Sequence, residues 1–344
     1  VSGPVESFDA RGDLILVAGE PGVNFRVCSR SLARSSPAWD RKLYGLFSKP
    51  NVHEDAHAWV IRLPEDNALA LRIILQAVHY KFNDMPTILS RDILFQVTVL
   101  CEKYDMMGLL KPFWSGWITH LPQLTLDPET LVQQVWIAHK LGHLQSYEDI
   151  LVEFLCSAQK RAGTNDTRLF LEGHPEFDPY KDPHLQALGL LKSWELGRLE
   201  MIIAIGKRLT TAMETYSNPK ITTCGFYHDN ADWRLTCDCA MLGGLHRALH
   251  GRVWYSSGQH NWEKQVTLSA RQLITKMEGL RTTAIGNSRM RRRQGDAHKT
   301  CTPWVKFELA DILRGCPIGS IVPLGRATFA EQAEKSGLKA QGLC

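Results

Sequence analysis

The residues best suited to chemistry form a cysteine and histidine group in the last third of the chain. The group consists of Cys224, the pair Cys237-x-Cys239, and the later His298-x-x-Cys301. Structural zinc is held by four thiolate or imidazole ligands in a tetrahedron, and alternate residues of a strand point to the same side. The spacing therefore predicts a structural zinc site that joins the two ends of this segment and leaves no coordination position for catalytic water.

The same cysteines have a simpler interpretation, because cysteine is often buried as a small apolar side chain. Their spacing is not that of a standard zinc finger. If Cys237 and Cys239 began a helix, the geometry would be looser and only one of them would bind metal. The sequence leaves both interpretations open.

A second group of interest is a short cationic run near residue 290. Its arginines could contact the phosphates of a nucleic acid or act as a nuclear-import signal. A solvated surface loop is the simpler interpretation, because no aromatic residue lies among the arginines to stack on bases. A zinc-containing nuclear regulator that contacts nucleic acid through this run is therefore kept only as an alternative. The arginines are Arg289, Arg291, Arg292 and Arg293.

The composition of the 344-residue chain excludes several classes of protein. Its net charge of +4 is too small to attract polyanions by bulk electrostatics. No apolar run approaches the roughly 18 residues of a membrane span. Nine cysteines at irregular spacing do not resemble a disulfide framework, so we expect an intracellular protein, nuclear or cytoplasmic, without a membrane partner. The first residue is Val1, a start that is compatible with a fragment.

The glycines at Gly19-x-x-Gly22 follow an apolar run, as they would in a phosphate-binding loop. Such a loop continues with Gly-Lys-Ser/Thr and a helix, whereas this chain continues with Val-Asn-Phe-Arg. The glycines therefore predict the turn of a hairpin. The Gly-x-Ser-x-Gly string of serine hydrolases and the Pro-Cys-x-x-Cys string of deaminases do not occur, and we expect no enzymatic activity.

The elements that would position these residues follow from apolar periodicity and turn residues. Residues 13–18 form a run typical of a buried strand, and a return strand is predicted at 24–27. Ser36-Pro37 predicts a helix start, and a third strand is predicted at 59–63. Apolar residues at helical spacing then predict a series of helices through the rest of the front part.

Residues 10–120 also contain short motifs in a characteristic order. In chain order they are Asp13, Phe25-x-Val27, Ser31-Leu32-x-x-x-Ser36-Pro37-x-Trp39, Leu63-Pro64-Glu65-Asp66, His79-Tyr80-Lys81-Phe82 and Leu100-Cys101-Glu102-Lys103-Tyr104-Asp105. In order and spacing the motifs resemble the BTB/POZ domain, and the last three look most like its fungal branch. Two positions depart from the usual pattern: Cys28 stands where many members have histidine, and Trp39 where phenylalanine is usual.

This resemblance implies a non-enzymatic protein-interaction module. Members commonly form homodimers through their first helices and an exposed strand edge. Some act as adaptors that bring substrates to cullin-type ubiquitin ligases through helices that follow the domain, and others belong to transcription factors. The helical pair predicted at 127–158 would extend the domain, either as such a partner surface or as simple packing.

The sequence thus predicts an α+β fold with a small sheet flanked by helices, followed by a mainly α-helical region. The predicted divisions are an N-terminal tail at 1–9, a BTB/POZ domain at 10–121, a helical extension at 122–160, a linker or surface loop at 161–183, and a helical C-terminal region with the Cys/His group at 184–344.

Overall fold

The computed structural model shows a mixed α+β chain, as the sequence predicts at this level. It forms two compact units, an N-terminal unit of residues 1–150 with 324–344 and a C-terminal unit of residues 151–323. The residues that the structure describes are 3–45, 59–120, 127–161, 168–221, 223–224, 231–250, 252, 266–278 and 326–338.

The N-terminal unit is built on a four-stranded sheet. Its strands are β1 (Val5–Ser7), β2 (Leu14–Ala18), β3 (Val23–Val27) and β4 (Trp59–Leu63). They lie in the order β1-β3-β2-β4, in which β2 is antiparallel to β3 and parallel to β4. The segment predicted as a tail at 1–9 contains β1, which pairs parallel with β3. A strand of three residues is too short to show the alternation by which strands are predicted.

The turn between β2 and β3 confirms the predicted hairpin. Leu14 pairs with Val27 and Ala18 pairs with Val23, so the two strands are in register along their whole length. Gly19 has a φ of +76°, in the left-handed region that favours glycine. The glycines reverse the chain into a second strand and do not open a helix, as a phosphate-binding loop would require.

The helices of the N-terminal unit follow the predicted series, and several begin with a side-chain cap. Ser36, Asn67, Ser90 and Asp127 each accept a hydrogen bond from the backbone N–H three residues later, as capping residues do. The helices are α1 (Ser29–Ser35), α2 (Pro37–Tyr44), α3 (Ala68–Val78), α4 (Arg91–Lys103), α5 (Lys111–Thr119), α6 (Pro128–Leu141) and α7 (Leu144–Ser157), of which only residues 144–150 belong to this unit.

A buried carboxylate links the sheet to two helices. Asp66, which follows β4, is 1% exposed and accepts hydrogen bonds from Lys103 Nζ at 2.6 Å and from the Tyr104 hydroxyl at 2.5 Å. The Tyr104 ring stacks on Trp39 of α2, and its backbone oxygen accepts a hydrogen bond from the Ser36 hydroxyl. Burial and the hydrogen bond to Asp66 raise the pKa of Tyr104, so the hydroxyl remains a donor at neutral pH.

The last described helix, α12 (Arg326–Ser336), belongs to the N-terminal unit, although the prediction placed it in the C-terminal region at 184–344. Its Phe329 is fully buried, and the Ser336 hydroxyl donates to the backbone oxygen of Leu141 at the end of α6. This contact joins residues at opposite ends of the chain, and periodicity reports only on neighbours in sequence.

The described part of the C-terminal unit is mainly helical, with one small sheet. The segment predicted as a linker at 161–183 contains part of that sheet. The elements are β5 (Ala158–Lys160), β6 (Leu169–Leu171), α8 (Pro183–Ala187), α9 (Leu190–Ser217), α10 (Ala231–Leu249) and α11 (Ala270–Glu278). Within the described ranges no helix is both long and apolar enough to cross a bilayer.

Arg198 joins helix α9 to two other segments of the C-terminal unit by hydrogen bonds. Its side chain is 2% exposed on α9 and donates to three backbone oxygens, those of Ala158 at 3.0 Å, Val266 at 2.8 Å and Leu268 at 2.9 Å. Burial lowers the pKa of Arg198 to about 10, which leaves the guanidinium charged at neutral pH. The planar fork of arginine suits three acceptors that lie in different directions.

We expect Arg198→Met to lower the free energy of unfolding of the C-terminal unit by about 3 kcal/mol, because three buried carbonyls lose their donor. Arg198→Lys should recover less than half of this loss, since one ammonium group cannot reach all three oxygens. Hydrogen exchange of the α9 amides under native conditions measures the effect. The control Lys192→Met changes an exposed cation of α9 and should stay within about 0.5 kcal/mol. An equally small effect at Arg198 would contradict the assignment.

We also expect the N-terminal unit to lose stability in mild acid because of His139. Burial, followed by the charge of Lys140, lowers the pKa of His139 from 6.5 to about 4. Below pH 6.5 the unfolded chain takes up a proton that the folded chain accepts only near pH 4, so this stabilisation is complete above pH 6.5 and declines toward pH 4. The loss between pH 7 and pH 5 should be about 2 kcal/mol.

Denaturant unfolding at the two pH values checks this expectation. His139→Leu should remove the part of the decline that comes from His139 and leave the part that comes from the buried His79, whereas His120→Gln, which replaces an exposed histidine of the same unit, should keep both. An unchanged pH dependence in His139→Leu would show that His139 is not its source.

Candidate protein-interaction surface

Three aromatic side chains form an exposed cluster where the chain leaves α3 and where α5 passes nearby. Tyr80 and Phe82 are 80% and 50% exposed, and Phe113 of α5 is partly exposed. The ring centroids of Tyr80 and Phe82 lie 6.1 Å apart, and those of Phe82 and Phe113 lie 6.2 Å apart. We call these three side chains the aromatic surface. Exposed apolar clusters of this kind mark interaction sites, where aromatic residues are enriched.

Tyr80 is held in a backbone conformation that favours glycine. Its φ is +58°, and it ends α3 through two hydrogen bonds, from its own N–H to the oxygen of Ala77 and from the N–H of Lys81 to the oxygen of Gln76. This is the Schellman pattern, whose left-handed position is usually glycine. A β-carbon at that position costs about 1 kcal/mol. Backbone strain of this kind is concentrated at functional sites, and the exposed side chain of Tyr80 is therefore a candidate for binding.

The aromatic surface rests on a rigid base of tryptophans. Phe113 stacks on Trp117 with ring centroids 5.5 Å apart, and Trp117 meets Trp114 edge to face at 5.4 Å. Both indoles are buried and bonded to the backbone: Trp117 Nε1 donates to the oxygen of Pro86 at 2.8 Å, and Trp114 Nε1 donates to that of Met107 at 3.0 Å. Because the base is fixed, contacts on the surface require little reordering of the protein.

His79 connects this region to the sheet. Its Nε2 accepts a hydrogen bond from the backbone N–H of Cys28 at 3.1 Å, and its Nδ1 lies 3.0 Å from the oxygen of Leu75. Together these contacts define a neutral imidazole, and burial lowers the pKa of His79 accordingly. Lys81, two residues after His79, donates from its Nζ to the backbone oxygen of Ser7 of β1 at 3.0 Å, so the chain between Tyr80 and Phe82 is also fixed.

The first helices and the sheet edge, where the BTB/POZ resemblance implies a dimer contact, expose a different set of residues. Tyr44 at the end of α2 is 48% exposed, and its ring lies 6.0 Å from that of Trp59. Its hydroxyl is 2.5 Å from the hydroxyl of Ser29, which in turn donates to Asp13. At the end of the described sheet, Val5 of β1 is 41% exposed.

The cysteines of the predicted zinc site are only partly brought together. Cys224 and Cys237 are both buried in one apolar cluster with Tyr216 and Met241. Cys237 and Cys239 lie within α10, where residues two apart project to nearly opposite sides, and Cys239 is exposed. The helix therefore separates a pair that a strand would have placed on one side.

A buried aspartate fixes the loop that carries Cys224. Asp238 of α10 is 1% exposed and accepts hydrogen bonds from the N–H and the hydroxyl of Thr223 at 2.7 Å and 2.5 Å. Arg234 Nε donates to the backbone oxygen of Cys224 at 2.9 Å. These contacts hold Cys224 beside Cys237.

The remaining predicted ligands, His298 and Cys301, and the arginines of the cationic run, Arg289 and Arg291 to Arg293, lie outside the described residues. In the part of the chain that is described, no group of three or more His, Cys, Asp or Glu side chains is arranged to hold a metal ion. The zinc site and the nucleic-acid contact stay predictions.

The expectation of no enzymatic activity also assumed that the His-Glu-x-x-His string of zinc proteases does not occur, and the sequence shows that this assumption was wrong. The pentapeptide at 53–57, His-Glu-Asp-Ala-His, matches the His-Glu-x-x-His pattern of zinc proteases and also lies outside the described residues. That pattern binds zinc when both histidines share one face of a helix. Trp59, two residues after the second histidine, already belongs to β4.

No protein-family model, curated protein or solved structure matches this chain. Its function is therefore inferred from the site geometry. The aromatic surface was not identified from the sequence as a site, although two aromatic residues next to a predicted helix end were a usable signal. Phe113 gave none, because it joins Phe82 only through the packing of α5.

We expect the left-handed backbone of Tyr80 to reverse the usual order of alanine and glycine substitutions. Tyr80→Gly should be more stable than Tyr80→Ala by about 1 kcal/mol, because only alanine carries the β-carbon penalty. At an ordinary helical position alanine is the more stable by a similar amount. Denaturant unfolding of both variants measures the difference, with Gln76→Ala and Gln76→Gly within α3 as the reference pair. A Tyr80→Ala variant at least as stable as Tyr80→Gly would refute the strain.

Proposed function

We propose that this chain is a non-enzymatic protein-interaction protein whose N-terminal unit is a module of the BTB/POZ type. The observation that carries the proposal is the aromatic surface, which displays Tyr80 on a strained backbone above a fixed tryptophan base. Aromatic side chains contribute much of the binding free energy at protein interfaces. A support that is already ordered lowers the entropic cost of binding. The order of hairpin, paired helices, parallel strand and further helices agrees with the resemblance.

We propose homodimerisation through the first helices and the sheet edge. Tyr44 and Val5 place exposed apolar side chains on these elements. Tyr44 is oriented by its contact with Ser29, whose N–H and hydroxyl both donate to Asp13. An unpaired strand edge offers backbone donors and acceptors to a second chain.

The aromatic surface lies on other residues and would bind a different polypeptide, as in an adaptor. A cullin-type scaffold is the class of partner that the resemblance implies. The resemblance implies that the helices that follow the domain, α6 and α7, take part in this contact together with the aromatic surface.

The roles of the buried charged groups support an interaction protein over an enzyme. Asp66 is bound by Lys103 and Tyr104, and Arg198 binds three backbone oxygens. Asp238 is bound by Thr223. Each of these groups is used for structure, whereas catalytic groups face a cleft in which substrate can reach them.

We expect wild-type chain to sediment as a dimer, and Tyr44→Asp to shift it toward monomer by placing a charge in the interface. The double variant Tyr80→Gly, Phe82→Ser should stay dimeric and lose at least tenfold in affinity for a cullin-type scaffold. Sedimentation velocity and direct titration of the scaffold measure the two effects. Leu196→Ser, which removes an exposed apolar side chain of the C-terminal unit, is the control and should change neither.

A wild-type chain that sediments as a monomer at all concentrations and does not bind the scaffold would overturn the proposal. Dimerisation without scaffold binding would retain the interaction module and remove the ligase connection.

A further inference from the structure

The contact between α6 and α12 has the features of a helix bound in a groove. The floor of the groove is formed by His139 and Gly142 at the end of α6 and by Tyr147 of α7, and we call it the α6 groove. Phe329 of α12 enters it edge to face with His139 at 5.4 Å between centroids and lies 4.7 Å from Tyr147. All three rings are buried.

Gly142 lets the two backbones approach closely. It ends α6 in the left-handed region with a φ of +71°, and a β-carbon there would lie 2.2 Å from the backbone nitrogen of Ala333 and 2.7 Å from the oxygen of Phe329. A side chain at this position is thus excluded by both conformation and space. The groove accepts a helix backbone at the position where α6 ends.

The occupant contributes one face of α12 to this contact. The three buried side chains of α12 are Phe329, Ala333 and Ser336, at the spacing i, i+4 and i+7 of one helix face. Its other face is exposed and polar, with an ion pair between Lys335 and Glu331. Helix-in-groove recognition uses this kind of narrow apolar face. A helix of the same chain can fill its site with weak intrinsic affinity, because its binding is intramolecular.

The groove also contains polar atoms that α12 does not satisfy. Among the described residues, neither ring nitrogen of His139 has a hydrogen-bond partner, and the same is true of the Tyr147 hydroxyl and of Gln332 Oε1 on α12. A buried polar group without a partner has lost its hydrogen bonds to water and gained none in return, which destabilises the occupied groove. A helix that offered a donor or acceptor to His139 and Tyr147 would bind better than α12 does.

We propose that the α6 groove is a recognition site for a partner's amphipathic helix and that α12 is a replaceable occupant that blocks it. The partner helix carries an aromatic residue, a small residue four positions later and a small or hydroxyl residue three positions after that. A polar side chain beside the aromatic residue pairs with His139 or Tyr147. The proposal does not depend on the aromatic surface, and its failure would leave the proposed function unchanged.

A labelled peptide of residues 326–338 tests exchange in the full chain. The peptide should bind Phe329→Ala at least tenfold more tightly than wild type, because the wild-type groove is already filled. A peptide in which Phe329 is replaced by alanine should bind neither chain. Glu334→Ala, an exposed change on α12, is the matched control and should behave as wild type. Equal affinity of the peptide for folded Phe329→Ala and wild type would overturn the proposal.

Hydrogen exchange of the wild-type chain gives a second test that needs no variant. A replaceable helix opens without unfolding the unit that holds it, so the amides of 330–336 should exchange at least 100-fold faster than those of 135–141. If both sets exchanged at one common rate, α12 would be an integral part of the unit and the groove would not be a binding site.

Discussion

The need to satisfy backbone carbonyls at helix ends shapes the whole N-terminal unit. Three of its helices end in the same way, with a left-handed residue and two reversed hydrogen bonds: Tyr80 after α3, Asp105 after α4 and Gly142 after α6. The pattern supplies donors to carbonyls that would otherwise be buried without partners, and it turns the chain sharply. Each turn then fixes the positions of the residues next to it.

The three endings use different residues because they have different neighbours. Gly142 must be glycine, since the backbone of α12 occupies the place of a β-carbon. Asp105 follows Tyr104, whose hydroxyl and carbonyl join Asp66 and Ser36. Tyr80 faces solvent and has room for any side chain, so the strain it bears is not imposed by packing. The contrast between these positions is the physical reason for assigning function to Tyr80.

In the C-terminal unit, buried backbone atoms are hydrogen-bonded by charged side chains. Arg198 binds three carbonyls of two segments, and Asp238 binds the N–H of Thr223. Hydrogen bonds in which one partner is charged are shorter and stronger than those between neutral groups. The hydrogen bonds of Asp238 and Arg234 also position Cys224 beside Cys237.

The sequence by itself determined the local elements. The hairpin at Gly19, the capped start at Ser36 and the helices with strong apolar periodicity are all confirmed, because turn chemistry, capping and amphipathicity act over a few residues. Only the tertiary structure decided what is brought together from a distance. The pairing of β1 with β3, the docking of α12 on α6, the three carbonyls around Arg198 and the meeting of Phe82 with Phe113 join segments far apart in the chain. No periodicity records such contacts, since they are selected by the free energy of packing the whole unit.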